Sequence, residues 1–353
     1  MRIAGIVCEY NPFHNGHKYH IEETRKQLNT DGVVCVMSGD VVQRGGTAVF
    51  PMKNRAETAV RNGADLVLEI PPRFVLQSAQ FYAHNAVYIL DSLGVVDYLS
   101  FGSESGDINE LEKAVSDFDE KTFRKSLESG KGYAEAMGTN EILKSPNNIL
   151  GAEYLKALKS LDSKIIPFTV SRKAVMHDSM TSESEFASAT YIRQMIKNNE
   201  DFSEFVPENE VFPKATIKTE EELWELISYR LKLGCENNFE NIMNMSEGLN
   251  NRIIKLADCS SFSECVEKAS CKRYPKSRIR RALFSILFNF EKNPSLPTYT
   301  RVLALNENGR KILSASKKTV QLPVLSRVTK KDIYNIPFLK QELTTEKILY
   351  KQI

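Results

Sequence analysis

The chain has 353 residues, enough for two domains of ordinary size. With 42% hydrophobic and 26% charged residues, it is neither disordered nor collagen-like. Its net charge of +2 hides an asymmetry: Cys271–Ile353 carry 18 Lys and Arg against 5 Asp and Glu, whereas residues 1–270 carry 29 against 40. A basic part of this kind suits a polyanion partner, with a solvated lysine-rich surface as the plainer alternative.

The first two hundred residues alternate between strand-like and helix-like stretches. Arg2–Cys8, Gly32–Met37, Ala64–Glu69, Val95–Phe101 and Lys164–Phe168 read as strands. His17–Leu28, Lys53–Asn62, Gln77–Leu93, Ile108–Asp117 and Asn148–Leu161 read as the helices between them. This order predicts an α/β, Rossmann-like domain over residues 1–205, a parallel sheet with ligand beyond the carboxyl ends of its strands. Val206–Lys218, with Pro207 and Pro213, reads as a linker. Glu220–Leu233, Gly248–Lys255, Ser261–Ser270 and Arg278–Phe288 then predict a mainly helical, basic domain over 206–353. No run is long and apolar enough to span a membrane, and MRIAGIVCEYNPFH carries no cleavage pattern, so a soluble cytoplasmic protein is expected. The six cysteines (Cys8, Cys35, Cys235, Cys259, Cys265, Cys271) lack CxxC pairing and are expected to be reduced.

Chemistry concentrates in CEYNPFHNGHKYH, Cys8–His20, directly after the first strand. Gly16 allows close backbone approach, and His14 and His17 bracket it at the start of a helix, where free N–H groups and the macrodipole favour phosphate. The spacing resembles the HxGH signature of the nucleotidyltransferase and class I aminoacyl-tRNA synthetase superfamily, whose histidines hydrogen-bond ATP phosphates. His14, His17 and His20 also spell HxxHxxH, but no nearby cysteine or carboxylate completes a zinc site, so no metal ligand is assigned. ASATYIR, Ala187–Arg193, is similar to the superfamily's second phosphate motif: Ser188 or Thr190 caps a helix and Arg193 offers a guanidinium to phosphate oxygens. No KMSKS-like stretch occurs, which argues against a synthetase proper.

MSGDVVQRG (Met37–Gly45), PMKNRAE, GADLVLEIP (Gly63–Pro71), QSAQFYA (Gln77–Ala83), FGSESGD (Phe101–Asp107), NNILGAEY (Asn147–Tyr154) and SRKAVMHDS (Ser171–Ser179) follow in order. Together with EYNPFHNGH they resemble the bacterial tRNA(Met) cytidine acetate ligase family, and EGLNNRI and KRYPKSRIRR extend the likeness into the second part. The resemblance implies activation of acetate by ATP, with Mg²⁺, and acetylation of the wobble cytidine of elongator tRNA(Met). It implies an ATP site comprising Val7, Cys8, Glu9, Tyr10, Asn11, Pro12, Phe13, His14, Asn15, Gly16, His17, Lys18, Tyr19 and His20, with Gly102, Asn147 and Arg172. Asn148 is the alternative to Asn147, and Cys8 is expected to be a strand residue rather than a nucleophile. His14, His17, Arg172 and Arg193 are candidate donors to the phosphates, and Lys53 a candidate for pyrophosphate. Asp40 is expected to orient a donor, hold Mg²⁺ through water or accept a proton, or else to cap a turn; Glu104 is equally ambiguous. Lys272, Arg273, Tyr274, Lys276, Arg278, Arg280 and Arg281 are the candidate tRNA contacts, with Tyr274 stacking on a base and Arg278 and Arg281 sharing one exposed helical face. Two other readings stay open: a small-molecule adenylyltransferase of the HxGH type, and a non-catalytic RNA-binding protein on that scaffold.

Overall fold

The computed structural model describes residues 1–117, 120–129, 136, 141–171, 186–208, 216–234, 236–292 and 296–351. Arg172, Cys235 and part of the expected linker lie outside the described residues. Strands β1 (Ile3–Cys8), β2 (Gly32–Ser38), β5 (Leu66–Ile70), β6 (Tyr98–Ser103) and β7 (Ile166–Ser171) form the expected parallel sheet, while β3 (Val41–Val42) and β4 (Gly46–Thr47) make a small separate hairpin. With β8 (Thr300–Leu305) and β9 (Val324–Leu325), the order is β7-β6-β1-β2-β5-β8-β9. The chain lays β1, β2 and β5 outward on one side, then returns along the Ala79–Ser92 helix to place β6 on the other side of β1. That reversal opens a crevice at the carboxyl ends of β1 and β6, the place where such sheets hold ligands.

Both faces of the sheet are covered, which is why GVVCVM is apolar without alternation. Val33, Cys35 and Met37 pack on one face with Ile21 of the Asn15–Leu28 helix and Met52, Ala56 and Ala59 of the Met52–Arg61 helix. Val34 and Val36 face the other way, toward the cluster that holds Ala83, Val87 and Leu90.

That second cluster runs on without a break into Trp224, Phe262, Ile279 and Leu283 of the C-terminal helices. The core and the sheet both continue across residues 205/206. β8 pairs antiparallel with β5, through Leu66 and Leu305, and carries β9 with it. Helices at Glu307–Ser316, Lys330–Asn335 and Leu339–Leu349, not foreseen from the sequence, pack the remainder. Pairing of β8 with a strand more than two hundred residues earlier leaves no local sequence signal.

Candidate nucleotide site

The segment after β1 turns sharply into the Asn15–Leu28 helix. Tyr10 takes φ +48° there, held by its buried ring and by its hydroxyl, 3.4 Å from Cys35 Sγ. Cys8 is buried and its thiol is pushed well up by that burial, so it is a strand residue as expected and not a nucleophile.

His14 is the helix N-cap, and the cap is made by imidazoles. His14 Nδ1 accepts from the Gly16 amide (3.1 Å), while the His14 amide donates to His17 Nδ1 (3.3 Å), a capping box in which histidine does what Ser and Glu usually do. With both Nδ1 atoms accepting, each neutral ring carries its proton on Nε2 and is a donor there. The rings stack at 3.6 Å, and Tyr10 and Phe13 pack against His17 at 4.8 and 5.6 Å. Gly16 has its own role: a Cβ there would lie 3.0 Å from the His14 ring and press on it, so glycine leaves that ring room to fold back over the helix start.

The second phosphate motif meets the first. Ser188 Oγ accepts from the Tyr191 amide and caps the Ala189–Asn198 helix, and Arg193 donates from Nη1 to the Asn11 carbonyl (2.9 Å) and from Nη2 to Thr190 Oγ1 (3.0 Å). Asn11 Oδ1 accepts from the Val49 amide (2.8 Å), and Asn15 Nδ2 donates to the Glu204 carbonyl (3.0 Å). The loop containing Pro12 is thus fastened from three directions.

Several candidates fall elsewhere. His20 reaches Ser100 Oγ (3.0 Å) and ties the helix to β6, while Tyr19 packs edge-on against Phe186. Val7 and Lys18 are partly buried on β1 and the helix, and Gly102 stands near the end of β6. Asn148 is buried, accepting from the Glu104 amide (3.0 Å) and donating to the Ile142 carbonyl (2.9 Å), whereas Asn147 is the more open of the two. Asn147 Nδ2 donates to Glu104 Oε1 (2.6 Å), which makes Glu104 an organiser of this loop. Asp40 is 2% exposed, and its Oδ1 accepts from the Met52 amide at the start of the Met52–Arg61 helix (2.7 Å). Burial raises its pKa against the pull of Arg55. Asp40 thus ties down the start of that helix through Oδ1. Lys53 stands exposed in the first turn of the same helix.

Arg55 was missed. Its fully buried guanidinium donates to the carbonyls of Phe50 (2.8 Å), Ser38 (3.3 Å), Glu9 and Gly39, gathering the ends of β1 and β2 beneath the histidine loop. An arginine in a plain helical stretch gives no sign of this in the sequence. Among the described residues, no group of three or more His, Cys, Asp or Glu is placed to hold a metal.

The structure corrects two details of the expected tRNA cluster, the stacking of Tyr274 and the exposure of Arg281. Tyr274 is buried, its hydroxyl donating to the Glu247 carbonyl and its ring beneath Arg273 and Arg278, so it is not available to stack on a base. Arg278 pairs with Glu247 (2.9 Å), and Arg280 bridges the Gly45 carbonyl (2.6 Å) and Glu220 (2.6 Å). Arg281 is buried at 8% exposure, because the β3–β4 hairpin seats on this part of the Lys276–Phe288 helix; a Cβ at Gly45 (φ +81°) would lie 2.5 Å from the Arg281 amide nitrogen. Lys272, Arg273 and Lys276 are exposed as expected, with Lys276 on Glu267 (2.5 Å).

A parallel sheet with a histidine-capped helix at its switch point defines a nucleotidyltransferase of the HIGH type, and the family model described as HIGH Nucleotidyl Transferase matches residues 1–353. The tRNA(Met) cytidine acetate ligase of Clostridium novyi (strain NT) is 37% identical, covering 94% of this chain and 91% of its own. That of Thermoanaerobacter sp. (strain X514) is 36% identical over 100% and 93%. Thermotoga maritima TmcAL superposes with TM-score 0.84 in its apo crystal form and 0.82 in the form bound with alpha-thio ATP, each at 32% identity over 99% of this chain and 92% of that one. The chain belongs to the tRNA(Met) cytidine acetate ligase family.

Proposed function

We propose that this protein is an ATP-dependent ligase that converts acetate to acetyl-adenylate and transfers the acetyl group to N4 of the wobble cytidine of elongator tRNA(Met). The observation that carries this reading is the imidazole cap: two Nε2 donors held rigidly at a helix N-terminus, in the crevice where the sheet reverses.

An acetate oxygen attacks the α-phosphorus, its bond to the bridging oxygen breaks, and pyrophosphate leaves. Negative charge grows on non-bridging phosphate oxygens, and donors already oriented there lower the barrier without reorganising. His14 and His17 supply those donors, and Lys53 meets the departing pyrophosphate. Arg193, engaged with Asn11 and Thr190, contributes by holding the loop in shape. Mg²⁺ is proposed to arrive with the triphosphate, since the described residues provide no carboxylate cage for it. In the second half-reaction the cytidine amine attacks the acetyl carbonyl, AMP leaves, and the amine proton passes to solvent. The protein is proposed to work in the cytoplasm.

The test is ATP–pyrophosphate exchange with and without acetate. Exchange that requires acetate supports the reading. Exchange indifferent to acetate points to an adenylyltransferase for another acceptor, and no exchange with intact RNA binding points to the non-catalytic alternative.

A further inference from the structure

Among the described residues Arg55, Arg73 and Arg281 are buried and Arg301 is nearly so, and all but Arg281 have acceptors or carboxylates against the guanidinium. Arg55 serves four carbonyls; Arg73 lies against Glu342 (3.6 Å), Gln341 (2.6 Å) and the Phe290 and Phe338 rings; Arg301, on β8, pairs with Glu69 of β5 and with Glu346. Arg281 differs. Its Nε, like that of Arg73, is buried without a hydrogen-bond partner, but among the described residues no hydrogen bond or ion pair reaches any part of its guanidinium. The carboxylates near its helix are taken by its neighbours, Glu247 by Arg278 and Arg273 and Glu220 by Arg280. Burial draws the Arg281 pKa down to about 10, and Arg278 pushes the same way with no acid opposing it. An unpaired buried charge is costly, and a hydrophobic residue of similar size would be cheaper at a purely structural position.

We infer that the Arg281 guanidinium is the floor of a phosphate pocket, at the seam between the β3–β4 hairpin and the Lys276–Phe288 helix, that takes a backbone phosphodiester of the RNA substrate. The inference rests on the reading of the protein as an RNA-modifying enzyme and gives that reading a contact point. A guanidinium matches the fork geometry of a phosphate, and the surrounding charge favours an anion: Arg278 lies one turn earlier on the same helix, and Arg44 is exposed beside Gly45. Exposed Lys272, Arg273 and Lys276 line the start of that helix. The hairpin also links this place to the nucleotide side, because the Gln43 amide donates to Glu9 Oε1 (2.7 Å), one residue beyond β1. A phosphodiester held on Arg281 would therefore anchor the RNA to the hairpin that touches the ATP loop.

The experiment uses the full chain with Arg281→Met and Arg281→Lys, an RNA hairpin matching the anticodon arm of tRNA(Met), and inorganic phosphate. Arg281→Met is expected to weaken RNA binding at least tenfold and to lower the slope of log affinity against log salt by about 0.7 to 0.9. Its Tm should stay the same or rise, and phosphate should raise the Tm of the wild type but not of the variant. Arg281→Lys should keep the salt slope while losing part of the affinity. Wild-type RNA affinity and slope in Arg281→Met overturn the pocket. Protection by phosphate that depends on Arg281, with RNA binding that does not, assigns it to a free phosphate and overturns the RNA contact. Should Arg281→Met fail to fold, wild-type affinity in Arg281→Lys overturns it equally. If the wild type fails to acetylate RNA yet binds it through Arg281, the reaction falls and the pocket stands.

Discussion

The His14 amide donates to His17 Nδ1 at 3.3 Å while the His14 ring accepts the Gly16 amide, so the two imidazoles hold each other and the helix start in one arrangement. Binding and folding are coupled here. His14→Ala should lose about 1 kcal/mol of stability with the cap and about 10² in adenylate formation. His14→Asn restores a side-chain acceptor to the cap, so its Tm should recover while its exchange rate does not. Thermal melts and acetate-dependent exchange on the two variants separate these effects, and full recovery of exchange in His14→Asn would reduce His14 to a cap.

Arg55 predicts a larger and different defect. Arg55→Met strands the carbonyls of Glu9, Ser38, Gly39 and Phe50 without their donor, at roughly 1–3 kcal/mol for each buried group left unsatisfied. Urea unfolding should show a loss of at least about 3 kcal/mol, and the KM for ATP should rise as the loop after β1 loosens. An unchanged KM in a destabilised variant would confine Arg55 to the fold.

Glu342 sets a pH dependence. Burial pushes its carboxyl up to about 8 from an ordinary 4.5, with Glu69 adding to the rise and the Tyr299 hydroxyl, Arg73 and Arg301 opposing it. Between those two values the folded protein keeps a proton that the unfolded chain has released. Raising the pH through this window therefore removes stability, by up to about 1.4 kcal/mol per pH unit, with no further loss from this group above it. The Tm of the wild type should fall more steeply between pH 5 and 8 than that of Glu342→Gln. Parallel profiles would contradict the assignment.

Gly45 joins the two halves of the protein. Its positive φ and the 2.5 Å approach to the Arg281 amide nitrogen leave no room for a side chain. Gly45→Ala should lift the hairpin from the helix, break the Arg280 contact with the Gly45 carbonyl, and lower the Tm. RNA affinity, measured by anisotropy, should fall with it while the far-ultraviolet spectrum is retained.

What was legible in the sequence was local. Strand, turn, histidines and helix lie within Ile3–Leu28, and their spacing alone brings both histidines to the helix start directly after the first strand. The Arg193 motif was visible for the same reason, although its hold on the Asn11 carbonyl, 182 residues away, was not. Asp40 reads as catalytic or capping from the sequence, and only the fold shows that it is buried with its Oδ1 on the Met52 amide. Helical periodicity rightly sent Ile279, Leu283 and Ile286 inward, but it has no means of knowing that a hairpin from residues 41–47 covers Arg281 as well. Arg55 and the antiparallel β8 depend on contacts between distant segments, which composition and spacing do not record.

The central claim is that acetate, activated by ATP at His14 and His17, ends on a tRNA cytidine. The most direct measurement is nucleoside analysis of tRNA(Met) after incubation with the protein, labelled acetate and ATP. The account predicts label in N4-acetylcytidine at the wobble position, with one AMP and one pyrophosphate formed per acetyl group and none without ATP. Unlabelled cytidine, or acetylation from acetyl-CoA in the absence of ATP, would contradict it.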